Sequence, residues 1–257
     1  MVRAMEARIV SLYRHPVKGF TPERLARADL EAGACFPCDR LYAVEDGPSG
    51  FDPQAPAHIS KMKFTVLAKI PAVARARTAF DEASGVLTAR AEGVADFAGD
   101  LRAAAGRAGF AAWLAVLLGD EAPGPLKVIE GPGAHRFMDS RSGYVSIVNL
   151  ASVRDLSDKI GRALDPLRFR ANLYIDGWPA WAENDLTGQT LSLGAARAEV
   201  LKPIVRCAAT HVDPTSAERD VDLVKALFDH YGHMFCGIYL NVTQGGAVRE
   251  GDTVAAG

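Results

Sequence analysis

Apolar and polar residues alternate along ARIVSLYRHPVKG (Ala7 to Gly19), and the run breaks at Pro16, which predicts a β-strand opening into a loop. The same period of two recurs in LARADLEAG (Leu25 to Gly33) and RLYAVED (Arg40 to Asp46). Between Ala74 and Ala91 it predicts a hairpin turning at Ala83-Ser84-Gly85. Further strands are expected in PLKVIEG, YVSIVNL and RFRANLYIDG, and in QTLSLGAARAEVLKPIVRC, which reads as two strands through a turn at Gly194. The closing GIYLNVTQGGAVREGDTVAAG reads as two strands joined at Gly245-Gly246.

Helical spacing is rarer. Ser60 to Ile70 predicts a short helix, and Ala95 to Gly119, rich in alanine and leucine, predicts one or two more. ASVRDLSDKIG places Leu156 and Ile160 four residues apart, as a helix face would. ERDVDLVKALFDHYG is amphipathic, with Val221, Val224, Leu227 and Phe228 assigned to one face. Strands outnumber helices and regular βαβ alternation is missing, so the expected class is a β-rich α+β protein with a barrel-like sheet. No internal repeat is visible, and a soft boundary falls in the Gly/Pro-rich stretch from Gly119 to Gly133.

Composition narrows the function classes without naming one. The chain has 257 residues, enough for one large or two modest domains, and its net charge of -2 argues against nucleic acid or a membrane surface as main partner. No stretch approaches the roughly 20 apolar residues of a bilayer span. The first 20 residues mix both charge signs where a signal peptide needs an apolar run, so a cytoplasmic location is expected. Four cysteines in a chain of this size suggest free thiols or ligands rather than a disulfide framework.

The familiar nucleotide and hydrolase signatures are missing: no glycine-rich phosphate loop and no G-x-S-x-G elbow occurs. Cys35-Phe-Pro-Cys38 lacks the second ligand pair of a structural zinc site and precedes a strand instead of opening a helix, so two free thiols are expected there. His230, His233 and Cys236 are spaced by three, but Gly232 interrupts the helix that would align them, which favours loop or core roles. His15 and His211 lie beside loops with no local partner. Arg40, Arg168, Arg170 and Arg206 each fall in or at the end of an expected strand, and together at one barrel mouth they would bind an anion bidentately. Cys207 follows Arg206, and a neighbouring guanidinium favours the thiolate that attacks or ligates. From these residues alone Cys207 is core filler, a nucleophile or a metal ligand.

Six motifs in order carry a resemblance across most of the chain: HPVKG (His15 to Gly19), CDRLYAVED (Cys38 to Asp46), RFRANLYIDG (Arg168 to Gly177), WAENDLTGQTLSLG (Trp181 to Gly194), VRCAATHVDP (Val205 to Pro214), and GIYLNV with REGDTV. Through them the chain resembles MOSC-domain proteins, the family named after the C-terminal domain of molybdenum cofactor sulfurase. It is most similar to the subgroup with an added N-terminal β-barrel region that includes the mitochondrial amidoxime-reducing component. The resemblance implies a MOSC-type β-barrel over residues 126–257, preceded over 1–125 by an N-terminal β-barrel-like region with a small helical insertion.

It also implies a molybdenum cofactor, Mo-molybdopterin, with Cys207 as the metal ligand. Lys18, Gly19, Arg40, Arg170, Arg206 and Tyr239 would hold the pterin, and Ser142 and Gly143 match a cofactor-contacting loop. Asp213 and His211 are candidate proton relays. Relatives often carry serine where this chain has Gly19, and a polar residue where it has Val205. The implied activity is reduction of an N-hydroxylated small molecule, with electrons from a separate donor such as a ferredoxin or a cytochrome b5-like reductase system. A sulfur carrier using a Cys207 persulfide and a non-catalytic cofactor-binding module are the alternatives.

Overall fold

A computed structural model describes residues 5–142 and 144–256. In chain order the first strands are β1 (Glu6–Arg14), β2 (Glu23–Leu25), β3 (Arg27–Leu30) and β4 (Tyr42–Glu45). Then follow β5 (Arg77–Phe80), β6 (Val86–Ala91), β7 (Val94–Asp100), helix α1 (Ala104–Leu118) and β8 (Lys127–Glu130). The second half holds β9 (Val145–Asn149), α2 (Leu150–Ile160), β10 (Leu173–Asp176), β11 (Thr190–Leu193), β12 (Ala196–Val205) and α3 (Leu223–Tyr231). It ends with β13 (Phe235–Gln244), β14 (Gly246–Arg249) and β15 (Thr253–Ala256).

Seven strands close into a barrel in the order β10, β9, β13, β12, β11, β15, β1, with β1 returning to pair with β10 and β2 pairing with the last residues of β1. The pair β9–β10 is parallel because α2 crosses between the two strands; every other neighbouring pair is antiparallel. The closing strand comes from the opposite end of the chain, so barrel membership does not follow chain order. Its side chains show how it fits. Ala7 and Ile9 point into the core, and then a bulge between Ile9 and Ser11 shifts the parity, so that Leu12 is the next fully buried residue. Leu12 joins Ile147, Leu173, Leu193, Val200 and Leu240 in the barrel interior.

The rest of the first half forms a second core. The two-stranded sheet β4–β8 and the three-stranded sheet β5–β6–β7 enclose Phe20, Tyr42, Phe80 and Leu87. Helix α1 contributes Phe110 and Leu114 to the same core. Strand β3 pairs with β14, a further tie between the two halves. The α+β, β-rich expectation therefore holds, with a closed barrel and three α-helices among the described residues.

Several element expectations need correction. Ser60 to Ile70 contains only a short 3-10 turn at Lys61–Lys63. Val94–Asp100, expected to begin a helix, is a strand: its alanines and glycine do not favour a strand, and pairing with β6 overrides that local preference. The chain end makes three strands instead of two, because β14 leaves the barrel to pair with β3 before β15 returns. In α3 the buried positions are Leu223 and Leu227, while Phe228 is exposed. No helix among the described residues is long and apolar enough to cross a membrane.

Leu12 tests the closure. Leu12→Ala is expected to cost about 2–5 kcal/mol in urea unfolding, as core leucine truncations do. Val10→Ala, on the exposed face of the same strand, should change stability by less than about 0.5 kcal/mol.

Candidate active site

The site begins where β1 ends. Beyond Arg14 the HPVKG loop is fastened to the segment that enters β4: Arg40 N–H donates to the His15 carbonyl at 2.7 Å, Tyr42 N–H to Pro16 at 3.0 Å, and Lys18 N–H to Tyr42 at 2.8 Å. Asp39, fully buried, accepts from His15 N–H at 2.6 Å and from Asn172 Nδ2 at 3.2 Å, and pairs with the Arg40 guanidinium. Asn172 also accepts from Ser146 and donates to the Tyr13 carbonyl, so one side chain ties β1, β9 and the Asp39-Arg40 turn together.

Gly19 has φ +87°, and a Cβ there would lie 2.7 Å from the Val66 Cα. A side chain at this position would meet backbone, so the turn requires glycine. Arg40 and Arg170 also adopt left-handed φ, 51° and 52°, and they are two of only five described non-glycine residues that do so. Such strain persists where surrounding contacts enforce it and often marks a working site.

These residues border a cleft of about 310 Å³ walled by Arg40, Lys61, Asp139, Arg170, Cys207 and Tyr239, among others. A narrower recess joins it at Arg40, Lys61, Asp139 and Arg170 and reaches Lys18 and Gly19. Strand β12 delivers Cys207, which caps the 3-10 turn Ala208–His211 and is half-buried. Lys61 Nζ donates to Cys207 Sγ at 2.9 Å and lies 3.8 Å from Asp139 Oδ2. Lys18 Nζ donates to the Phe137 carbonyl at 2.9 Å and to Asp139 Oδ1.

Electrostatics separate the cations. Burial and the Arg40 charge lower Arg170 to about 10. Burial also opposes the Arg40 charge, but Asp39 and Asp139 outweigh it and hold Arg40 above its ordinary value. At Lys18 burial prevails and lowers the pKa in spite of Asp139. Tyr239, raised by burial, keeps its phenolic proton.

The other expected residues have different surroundings. Arg206 borders the cleft, but its guanidinium donates to the carbonyls of Cys236 and Phe169 and lies over the Phe169 ring at 5.3 Å. Arg168, almost fully buried, clamps the turn after Cys207 through Asp213 at 2.6 Å and Asp220 at 2.8 Å. Asp213 also accepts from Thr215 and Ser216 N–H, while His211 Nε2 sits 3.1 Å from Asp222; neither side chain is on the cleft wall. Ser142 accepts from Lys202 Nζ at 3.1 Å outside the main cleft, where its neighbour Ser140 is a wall residue. Gly143 lies outside the described residues.

Cys35 and Cys38 are free thiols, and burial pushes Cys38 up to about 11. Cys236, on β13, is buried in a core with Leu156 and Leu227, His233 stacks on Phe235, and no group of three metal-ligating side chains occurs among the described residues. Sequence reasoning missed Lys61 and Asp139. Lys61 stands 146 residues from Cys207 in a segment without motif, so no spacing signals the contact.

Residues 6–121 match the MOSC N-terminal beta barrel domain, and residues 134–255 match the MOSC domain. The chain is 33% identical over 114 residues to a molybdenum cofactor sulfurase of Caenorhabditis elegans, covering 41% of this chain and 16% of that protein. Its likeness to the Caenorhabditis briggsae molybdenum cofactor sulfurase is 33% over 128 residues, covering 45% and 18%. The chain thus spans less than a fifth of the length of these relatives. The crystal structure of the YUAD protein from Bacillus subtilis aligns over 100% of this chain and 98% of its own, with a TM-score of 0.46 and 14% identity.

His15 supplies a test of the site's electrostatics. It is fully buried, neither ring nitrogen makes a well-formed hydrogen bond, and burial, Arg170 and Arg40 all lower its pKa well below the ordinary value. The folded protein therefore keeps the ring neutral where the unfolded chain takes up a proton below about pH 6.5. Stability from this group is complete above that pH and declines as pH falls, by up to about 1.4 kcal/mol per unit. His15→Gln should remove that slope in urea titrations between about pH 7.5 and about pH 5.5. With both domain matches lying in order along it, the chain belongs to the MOSC family.

Proposed function

We propose that the cleft holds the molybdenum cofactor in its phosphate-bearing pterin form and that the protein reduces N-hydroxylated small molecules. The observation that carries this reading is the pairing within one cleft of a half-buried thiol, Cys207, with a cluster of cations at the adjoining recess. The donor set fits such a group: a soft thiolate ligand suits molybdenum, and guanidinium and ammonium groups suit phosphate. Kinship with molybdenum cofactor sulfurases supports an association with that cofactor.

On this reading Lys18, Arg40, Lys61 and Arg170 receive the phosphate end, and Cys207 ligates the metal. The bound cofactor would supply two-electron redox chemistry. The chain supplies position and electrostatics. Lys61 keeps the Cys207 sulfur facing the cleft, and Tyr239 offers a protonated hydroxyl on the same wall. Pro203, Ile204 and Val205 form an apolar edge beside the thiol. Arg168 and Arg206 brace the two chain segments that flank Cys207. Electrons would come from a separate donor protein of ferredoxin or cytochrome b5-reductase type.

A second reading uses the same thiol: Cys207 carries a persulfide sulfur and passes it on. The relatives' designation as sulfurases favours it. Protein purified from a host that makes molybdopterin should contain close to one molybdenum per chain, and Cys207→Ala should lose most of it. Molybdenum near zero in the wild type, with sulfane sulfur on Cys207, would replace the first reading with the second. Reduction of a hydroxylamine-type substrate by the loaded protein, with a chemical reductant, separates an enzyme from a binding module.

A further inference from the structure

At the recess where the two cavities meet, four cations stand against two carboxylates. Lys18, Arg40, Lys61 and Arg170 supply the positive charges, and Asp39 and Asp139 the negative ones. The two carboxylates differ in kind. Asp39 is fully buried and fixed by His15 N–H, Asn172 and Arg40, so it belongs to the framework. Asp139 has a side chain 48% exposed, on the cleft wall, and nevertheless contacts both lysines. Burial opposes its charge, but Lys18, Lys61 and Arg40 hold it ionised far below the ordinary carboxylate range. Arg170 forms no ion pair among the described residues; its Nη1 donates to the Phe20 carbonyl at 2.6 Å.

We propose that Asp139 sets the charge selectivity of this recess, limiting it to two net positive charges so that it accepts one phosphate monoester and disfavours a diphosphate. The inference deepens the proposed cofactor site and rests on that reading for the identity of the natural ligand. A phosphate monoester carries roughly −1.5 to −2 at neutral pH, which the two uncompensated cations match. A diphosphate brings at least one charge more and a second phosphoryl group, which would have to sit against the Asp139 carboxylate. Like charges at contact distance in a partly desolvated recess repel strongly. The small volume of the recess, about 30 Å³ beyond the main cleft, works in the same direction.

The test uses the full chain without cofactor and reads binding directly. Isothermal titration with inorganic phosphate and with pyrophosphate is run on wild type, Asp139→Asn, Lys61→Gln and, as control, Val10→Ala, each checked for native melting. The wild type should prefer phosphate. Asp139→Asn should shift the ratio of affinities toward pyrophosphate by about tenfold or more, and Lys61→Gln should weaken pyrophosphate more than phosphate. If both anions bind and Asp139→Asn leaves their ratio within about twofold of wild type, the assignment of Asp139 is overturned while the anion site stands. If neither anion binds any variant, the cationic recess is no anion site and this proposal falls with it. Molybdenum content of Cys207→Ala tests the metal assignment independently of either result.

Discussion

Strand β1 hydrogen-bonds to β15 on one edge and β10 on the other, and the cleft exists because of that double pairing. Without it the barrel would be an open sheet with exposed edges at β10 and β15. With it, the loop that follows β1 emerges beside the end of β12. The bulge at Ile9–Ser11 shifts side-chain parity so that Leu12 still fills the core, and at the end of the strand Arg14 reaches Glu23 and the Phe80 carbonyl. Two pieces of chemistry almost two hundred residues apart, Lys18 and Cys207, thereby face connected cavities.

Much of this was legible because it is local. Period-two alternation marked β1, β6, β12 and β13, and the Arg206-Cys207 pair stood out beside a strand end. What was not legible depends on contacts distant in sequence. Val94–Asp100 became a strand through pairing with β6, which its own composition did not announce. Arg168 and Arg170 are two residues apart in one motif, yet one is a buried clamp on Asp213 and Asp220 and the other reaches the recess. The left-handed backbone at Arg170 divides them, and no pattern of residue types specifies that turn.

The arginines also show why a cluster of cations in sequence is not a count of ligand-binding charge. Arg206 spends its guanidinium N–H groups on the Cys236 and Phe169 carbonyls, and Arg168 is neutralised by two carboxylates. Both lie against the cleft, and both act mainly on the shape of its wall. A guanidinium held by carbonyls in this way orients backbone, whereas a cation with spare donors attracts ligand.

Strain and electrostatics at the recess support one another. Left-handed backbone at Arg40 costs of order 1–3 kcal/mol and persists only where the surroundings enforce it. Here the Arg40 N–H bond to His15, the pairing of Asp39 with the His15 N–H and Asn172, and the Tyr42 bond to Pro16 hold the turn from both sides. The same contacts bury Asp39 where its charge offsets the burial of the Arg40 guanidinium. Lys61, which arrives from an otherwise irregular segment, then lies between Asp139 and the Cys207 sulfur. One ammonium group thus touches both the carboxylate on the wall of the recess and the sulfur in the main cleft, although the two arrive from segments far apart in the chain.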